Sequence, residues 1–203
     1  MIVTALVTGA VAALLSAVAQ GWQQSGESSN SSNIVMQTHL RLQKVIRAAK
    51  QLGACRSGSI EGTASASLLI WKADTNLDNK VQFSELGLLQ HDPADGKLRY
   101  YEVNYPSGWT AAQKTAADTP NLANDAIYDD ASIDSFKTLS YVSASVLSRG
   151  ISGAEFHEYD GASVTRPRFE YLLNFGSGSS IETEYGSVAS RTLATLLTSQ
   201  GGP

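Results

Sequence analysis

The sequence predicts an α+β fold in which a long N-terminal helix, apolar in its first half and amphipathic in its second, packs on an antiparallel β-sheet. Three observations predict it: an uncharged run over the first 22 residues, a 3.6-residue periodicity that follows it, and short apolar stretches punctuated by turn residues from Ala64 onward. With 203 residues, 42% of them hydrophobic, the chain is long enough for one ordinary domain plus an appendage. The boundaries are drawn at 1–33, a transmembrane helix with a polar connection, and 34–203, the head domain.

The first element is "MIVTALVTGAVAALLSAVAQGW", Met1 to Trp22. Between Ile2 and Ala19 only Thr4, Thr8 and Ser16 are polar, close to the roughly twenty residues that span hydrocarbon as a helix. Ala5, Gly9, Ala12, Ala13 and Ala17 permit close helix contact in a bilayer, and Trp22 suits its interface. The favoured reading is a retained anchor. Two others compete with it: a cleaved signal peptide ending at Ala17-Val18-Ala19, which lacks the usual positive n-region, and a buried helix of a soluble domain.

The second element, "IVMQTHLRLQKVIRAAKQLGA" from Ile34 to Ala54, places Val35, Leu42, Val45, Ile46, Ala49 and Leu52 on one helical face and Arg41, Lys44 and Arg47 on the other. Asn33 is the expected N-cap and Gly53 the expected stop. The stretches "ASLLIWKA", "SELGLLQHD", "KLRYYEVNY", "GAEFHEYDG", "RPRFEYLLNF" and "IETEYGSVAS" read as strands, joined by turns such as Asp92-Pro93-Ala94-Asp95-Gly96. Pro106 to Ser132 reads as loop with a short helix.

Function classes narrow quickly. A net charge of −4 argues against nucleic acid, which requires a basic face. The lone Cys55 excludes an internal disulfide and reads as a small buried hydrophobe. His39, His91 and His157 are far apart and read as surface or strand residues, Asp129-Asp130 as a solvated loop, and no catalytic motif is present, so neither an enzyme nor a small-molecule substrate is expected.

One stretch carries ligand chemistry. "DTNLDNKVQFSE" matches a twelve-residue calcium loop, with Asp74, Asn76 and Asp78 at positions one, three and five, the Lys80 carbonyl at seven and Glu85 at twelve. Asn79 stands where glycine normally makes the sharp turn, and the flanks read as strands. The expected cofactor is calcium in a structural role; the alternative is an Asp/Asn-rich turn bonded to its own backbone.

Three further stretches, "FSELGLLQHDPADGKLRYYEV" (Phe83 to Val103), "LSRGISGAEFHEYDGA" (Leu147 to Ala162) and "RPRFEYLLNF" (Arg166 to Phe175), together with the N-terminal helix, make the chain resemble the type IV pilin and type II secretion pseudopilin superfamily, nearest the J-type minor pseudopilin. The resemblance implies a pilin-like fold and a structural role. The anchor helix would pack among those of other pilin or pseudopilin subunits in the inner membrane, with the head in the periplasm. The basic leader, the cleavage glycine and the phenylalanine-threonine-leucine run with its glutamate are not in this sequence and are expected upstream of Met1. The alternative function is a secreted calcium-binding module with residues 1–19 removed.

Overall fold

A computed structural model describes residues 33–78, 80–118, 127–159, 168–177 and 180–189. The chain divides into two compact units, Met1–Gln37 and Thr38–Pro203. The first is described only over residues 33–37, so the expected anchor in residues 1–22 lies outside the described residues. Among the described residues no helix is long and apolar enough to cross a membrane.

Helix α1 covers residues 33–47, of which 38–47 belong to the second unit. Strands β1 (Gln51–Arg56), β2 (Gly58–Ser59) and β3 (Ser67–Trp71) follow, then a 3-10 turn, Phe83–Glu85, and the hairpin of β4 (Leu86–Asp92) and β5 (Lys97–Val103). Helices α2 (Ala111–Asp118) and α3 (Asp130–Thr138) precede β6 (Val142–Arg149), β7 (Ile151–Tyr159), β8 (Arg168–Ser177) and β9 (Ser180–Ala189). The strands form two antiparallel sheets, ordered β1-β3-β4-β5-β6 and β2-β7-β8-β9.

This architecture corrects the α+β expectation: the described chain is mostly antiparallel sheet, and no long N-terminal helix is seen in it. Helical periodicity persists on paper to Leu52, but Lys50 N–H already bonds the Trp71 carbonyl and Gln51 pairs with Trp71. Leu52 and Ala54 are both buried, and their spacing of two is the strand period. Gly53 is a strand residue and not a helix stop: a Cβ there would meet Ile127 at 2.5 Å.

The six apolar stretches are strands β3, β4, β5, β7, β8 and β9. The segment read as loop holds α2 and the start of α3. Asp129 is not merely solvated, because its side chain accepts the Ala131 N–H and caps α3.

The middle of the five-stranded sheet is buried on both faces, which is why "SLLIW" and "LGLLQH" are nearly continuous in apolar residues. Leu69, Trp71, Leu86 and Leu88 share a core with Ile133 and Phe136 of α3. His91, on the opposite face of β4, is fully buried and donates Nε2–H to the Ile151 carbonyl of β7 at 2.9 Å, tying the sheets together. Helix α1 touches both sheets: Thr38 Oγ1 donates to Ser148 Oγ of β6 at 2.7 Å, and His39 meets the Tyr171 hydroxyl of β8. Leu42 and Ile46 have no exposed surface, and Ala49 is 1% exposed.

Each large side chain buried on this helix face contributes roughly 1.5–3 kcal/mol. Leu42→Asp or Ile46→Asp is therefore expected to unfold the head, and Lys44→Asp to leave its thermal melt within about 2 °C of the parent. A second expectation concerns pH. Burial holds the His91 imidazole below its ordinary value of 6.5, against the opposing effects of the Ile151 hydrogen bond, Asp92 and Asp95. Its Nδ1 is buried without a partner, so protonation there would create an unpaired charge. The unfolded chain therefore takes up this proton first: the contribution is complete above about pH 6.5 and is lost as pH falls below it. Denaturant melts between pH 7 and 5 should show that slope, and His91→Gln should flatten it.

Candidate functional site

The Asp74–Glu85 loop connects β3 to the 3-10 turn, and each of its carboxylates is held by a different donor. Glu85 is only 2% exposed. Trp71 Nε1–H donates to its Oε2 at 3.1 Å, while Thr75 donates to Oε1 from its backbone N–H at 2.5 Å and its hydroxyl at 2.8 Å. Gln82 N–H adds a longer bond to Oε2, 3.4 Å. Four donors occupy about all the lone-pair positions of a carboxylate. Glu85 thus closes the loop onto β3.

Asp74 forms an ion pair with Lys50, Nζ to Oδ2 at 3.0 Å, and its Oδ1 accepts the Asp78 N–H at 3.2 Å. The same ammonium lies 3.9 Å from the centroid of the Trp71 ring, a cation–π contact. Asp78 accepts the Lys80 N–H at 3.0 Å through Oδ1, and Asn76 Nδ2 donates to Gln82 Oε1 at 2.8 Å. Leu77 has a positive φ of 56°, the left-handed conformation that turns the chain here, and Asn79 lies outside the described residues.

The structure therefore brings Asp74, Asn76, Asp78, Lys80 and Glu85 into one loop with carboxylates directed to separate protein partners. Calcium would have to displace Lys50 from Asp74, and Trp71 and Thr75 from Glu85. Among the described residues no group of three or more His, Cys, Asp or Glu side chains is arranged to hold a metal ion.

Beside the loop lies a pocket of about 330 Å³ that sequence reasoning did not find. Thr75, Asn76, Gln82 and Ser84 form its loop side; Tyr105, Lys114 and Asp118 line the rest. Helix α2 supplies Asp118 and begins at a capping box, where Thr110 Oγ1 accepts the Gln113 N–H and Gln113 Oε1 accepts the Thr110 N–H. Asp118 accepts Ser84 N–H at 2.8 Å and the Ser84 hydroxyl at 2.5 Å, so it fastens α2 to the 3-10 turn. Burial, then the Asp118 charge, push the Tyr105 hydroxyl above its usual range, so it stays protonated. No signal in the sequence links Ser84 to an aspartate 34 positions later.

The chemistry these groups can perform is limited. A serine hydroxyl bonded to a carboxylate alone has too weak a base to become a nucleophile at neutral pH. His39 is engaged with Tyr171, His91 lies between the sheets, and His157 sits on β7 beside Glu155 at 3.7 Å. The Cys55 thiol is pushed up to about 12 by burial and then by the Glu158 charge, which disfavours the nucleophilic thiolate. No family model, curated protein or solved structure matches the chain.

Removing the Glu85 carboxylate strands the indole of Trp71 and the N–H of Thr75, each at about 1–3 kcal/mol, so Glu85→Ala should lower the melting temperature by roughly 5–10 °C. The same melts in millimolar calcium and in chelator test the metal. A loop closed by its own donors predicts coincident curves, whereas a rise in calcium that Glu85→Ala abolishes would assign the loop to the ion.

Proposed function

We propose that the chain is a membrane-anchored structural subunit that works as minor pseudopilins do in a type II secretion or type IV pilus filament, by subunit contacts and without turnover. The observation that carries this reading is the order of properties along the first 47 residues: an uncharged run from Met1 to Trp22, then a helix whose Thr38, Leu42 and Ile46 are buried in a β-rich head. An uncharged segment of that length ahead of a folded head suits the task of anchoring the head to a bilayer.

The engagement of polar groups supports the same reading. Ser84, Asp118, Glu85, Asp74 and His91 are all bonded within the head, so these polar groups serve the fold. The outer side of α1 stays wet, with Leu40 53% exposed in a shallow groove beside Lys44 and Arg47. In this reading the anchor lies in the inner membrane against the N-terminal helices of like subunits, and the head is periplasmic.

The test is fractionation of the full chain expressed in a Gram-negative host. The protein should sediment with membranes, resist alkaline extraction and yield an intact N-terminal peptide by mass spectrometry. Val11→Arg with Leu14→Arg, each costing roughly 2.5–3.5 kcal/mol at the centre of a span, should release it. A mature N-terminus at Gln20 in a soluble extracellular fraction would contradict the proposal.

A further inference from the structure

Strand β6 is an edge of the five-stranded sheet, and Ser143, Ala144, Ser145 and Val146 are exposed on it. Its pairing with β5 determines which backbone groups face outward. Asn104 N–H donates to the Tyr141 carbonyl at 2.7 Å, so in the register Val103↔Val142, Glu102↔Ser143, Tyr101↔Ala144, Tyr100↔Ser145 the serines occupy the hydrogen-bonded positions. The N–H and C=O groups of Val142, Ala144 and Val146 therefore point away from β5 to the open side. One of these is already taken: Val142 N–H donates to the Leu139 carbonyl at 3.1 Å.

Open edges invite strand addition, and proteins usually blunt them with charge or proline. The other sheet follows that rule, since its edge strand β9 carries Glu182 and Glu184. From Val142 to Val146, β6 carries neither charge nor proline; beyond it α1 reaches the strand, where Arg41 donates to the Leu147 carbonyl. Its sequence there is also a palindrome, Val142-Ser143-Ala144-Ser145-Val146.

We propose that the open edge of β6 binds the β6 of a second copy of this chain, antiparallel, about a two-fold axis through Ala144. In that register Ala144 faces Ala144, Ser143 faces Ser145, and Val142 faces Val146 of the second copy. Valines meet valines on one face and serines meet serines on the other, with no like charges opposed. The outward-pointing positions coincide: the two Ala144 residues exchange two bonds, and Val146 N–H reaches the Val142 carbonyl in each direction, about four bonds in all. A slip of one residue would set outward groups against inward ones. A slip of two would put Val146 on Ala144 and Val142 on Ser148, so the palindrome selects the central register. An interface built on one strand is small, so the association is weak in dilute solution and strengthens when the chains are concentrated.

The test uses the full chain in detergent with Cys55→Ala, so that introduced thiols are the only ones. Opposed Ala144 positions would have Cα atoms about 5.5 Å apart, within disulfide range. Ala144→Cys should give a covalent dimer under mild oxidation at least about tenfold faster than Ser143→Cys, which faces position 145 of the second copy. A mixture of Ser143→Cys and Ser145→Cys chains should cross-link to each other at the faster rate. Ala144→Lys, at an exposed site, should keep the parent's thermal melt and sediment as monomer at concentrations where the parent dimerises. Absence of the Ala144→Cys dimer, equal rates for the two single cysteine variants, or an undiminished dimer with Ala144→Lys would overturn the proposal.

Discussion

The buried carboxylate of Glu85 is the constraint around which the head is arranged. A charge with 2% exposure is tolerated only with full hydrogen bonding, and Trp71 and Thr75 provide most of it. Trp71 in turn is packed with Leu69, Leu86 and Phe136, paired with Gln51 of β1, and covered by the Lys50 ammonium, which also holds Asp74. The residues after α1, the centre of the sheet, the Asp74 loop and the entry to β4 thus converge on one indole. The three carboxylates of the calcium-like motif avoid mutual repulsion because they have separate donors, one of them a lysine already in the fold.

The same economy governs the connection between the sheets. His91 bridges β4 to β7 through its Nε2–H, and α1 fastens β6 and β8 through Thr38 and His39. The pocket lined by Lys114, the outer side of α1 and the β6 edge face solvent, and under the structural role proposed for the chain they are its candidate contact surfaces.

Much of the sheet was legible in the sequence because burial on both faces leaves continuous apolar runs, as in Ser67–Trp71 and Leu86–His91, and because Asp92 to Gly96 spells a turn. The amphipathic stripe of α1 was legible through Leu42 and Ile46, but its end was not, since Ala49 and Leu52 satisfy a helical period as well as they serve the turn into β1. Strand β6 escaped notice because its alternation of Val142, Ala144 and Val146 with Ser143 and Ser145 is built on small side chains that make no strong apolar run. At the site, the Asp74–Glu85 spacing placed these residues in one loop, but the ion pair of Asp74 with Lys50 did not follow from it, because Lys50 comes from outside the motif.

Native-state hydrogen exchange of the tryptophan indole protons tests the central role of Glu85 most directly, with the Trp71 signal assigned through Trp71→Phe. If Glu85 accepts the Trp71 Nε1–H in a buried clasp that holds the head together, that proton exchanges only by global unfolding, and its protection free energy equals the stability measured by denaturant. Exchange of the Trp71 indole as fast as that of the partly exposed Trp109, in a head that remains folded, would show that the clasp opens locally and that the fold does not depend on it.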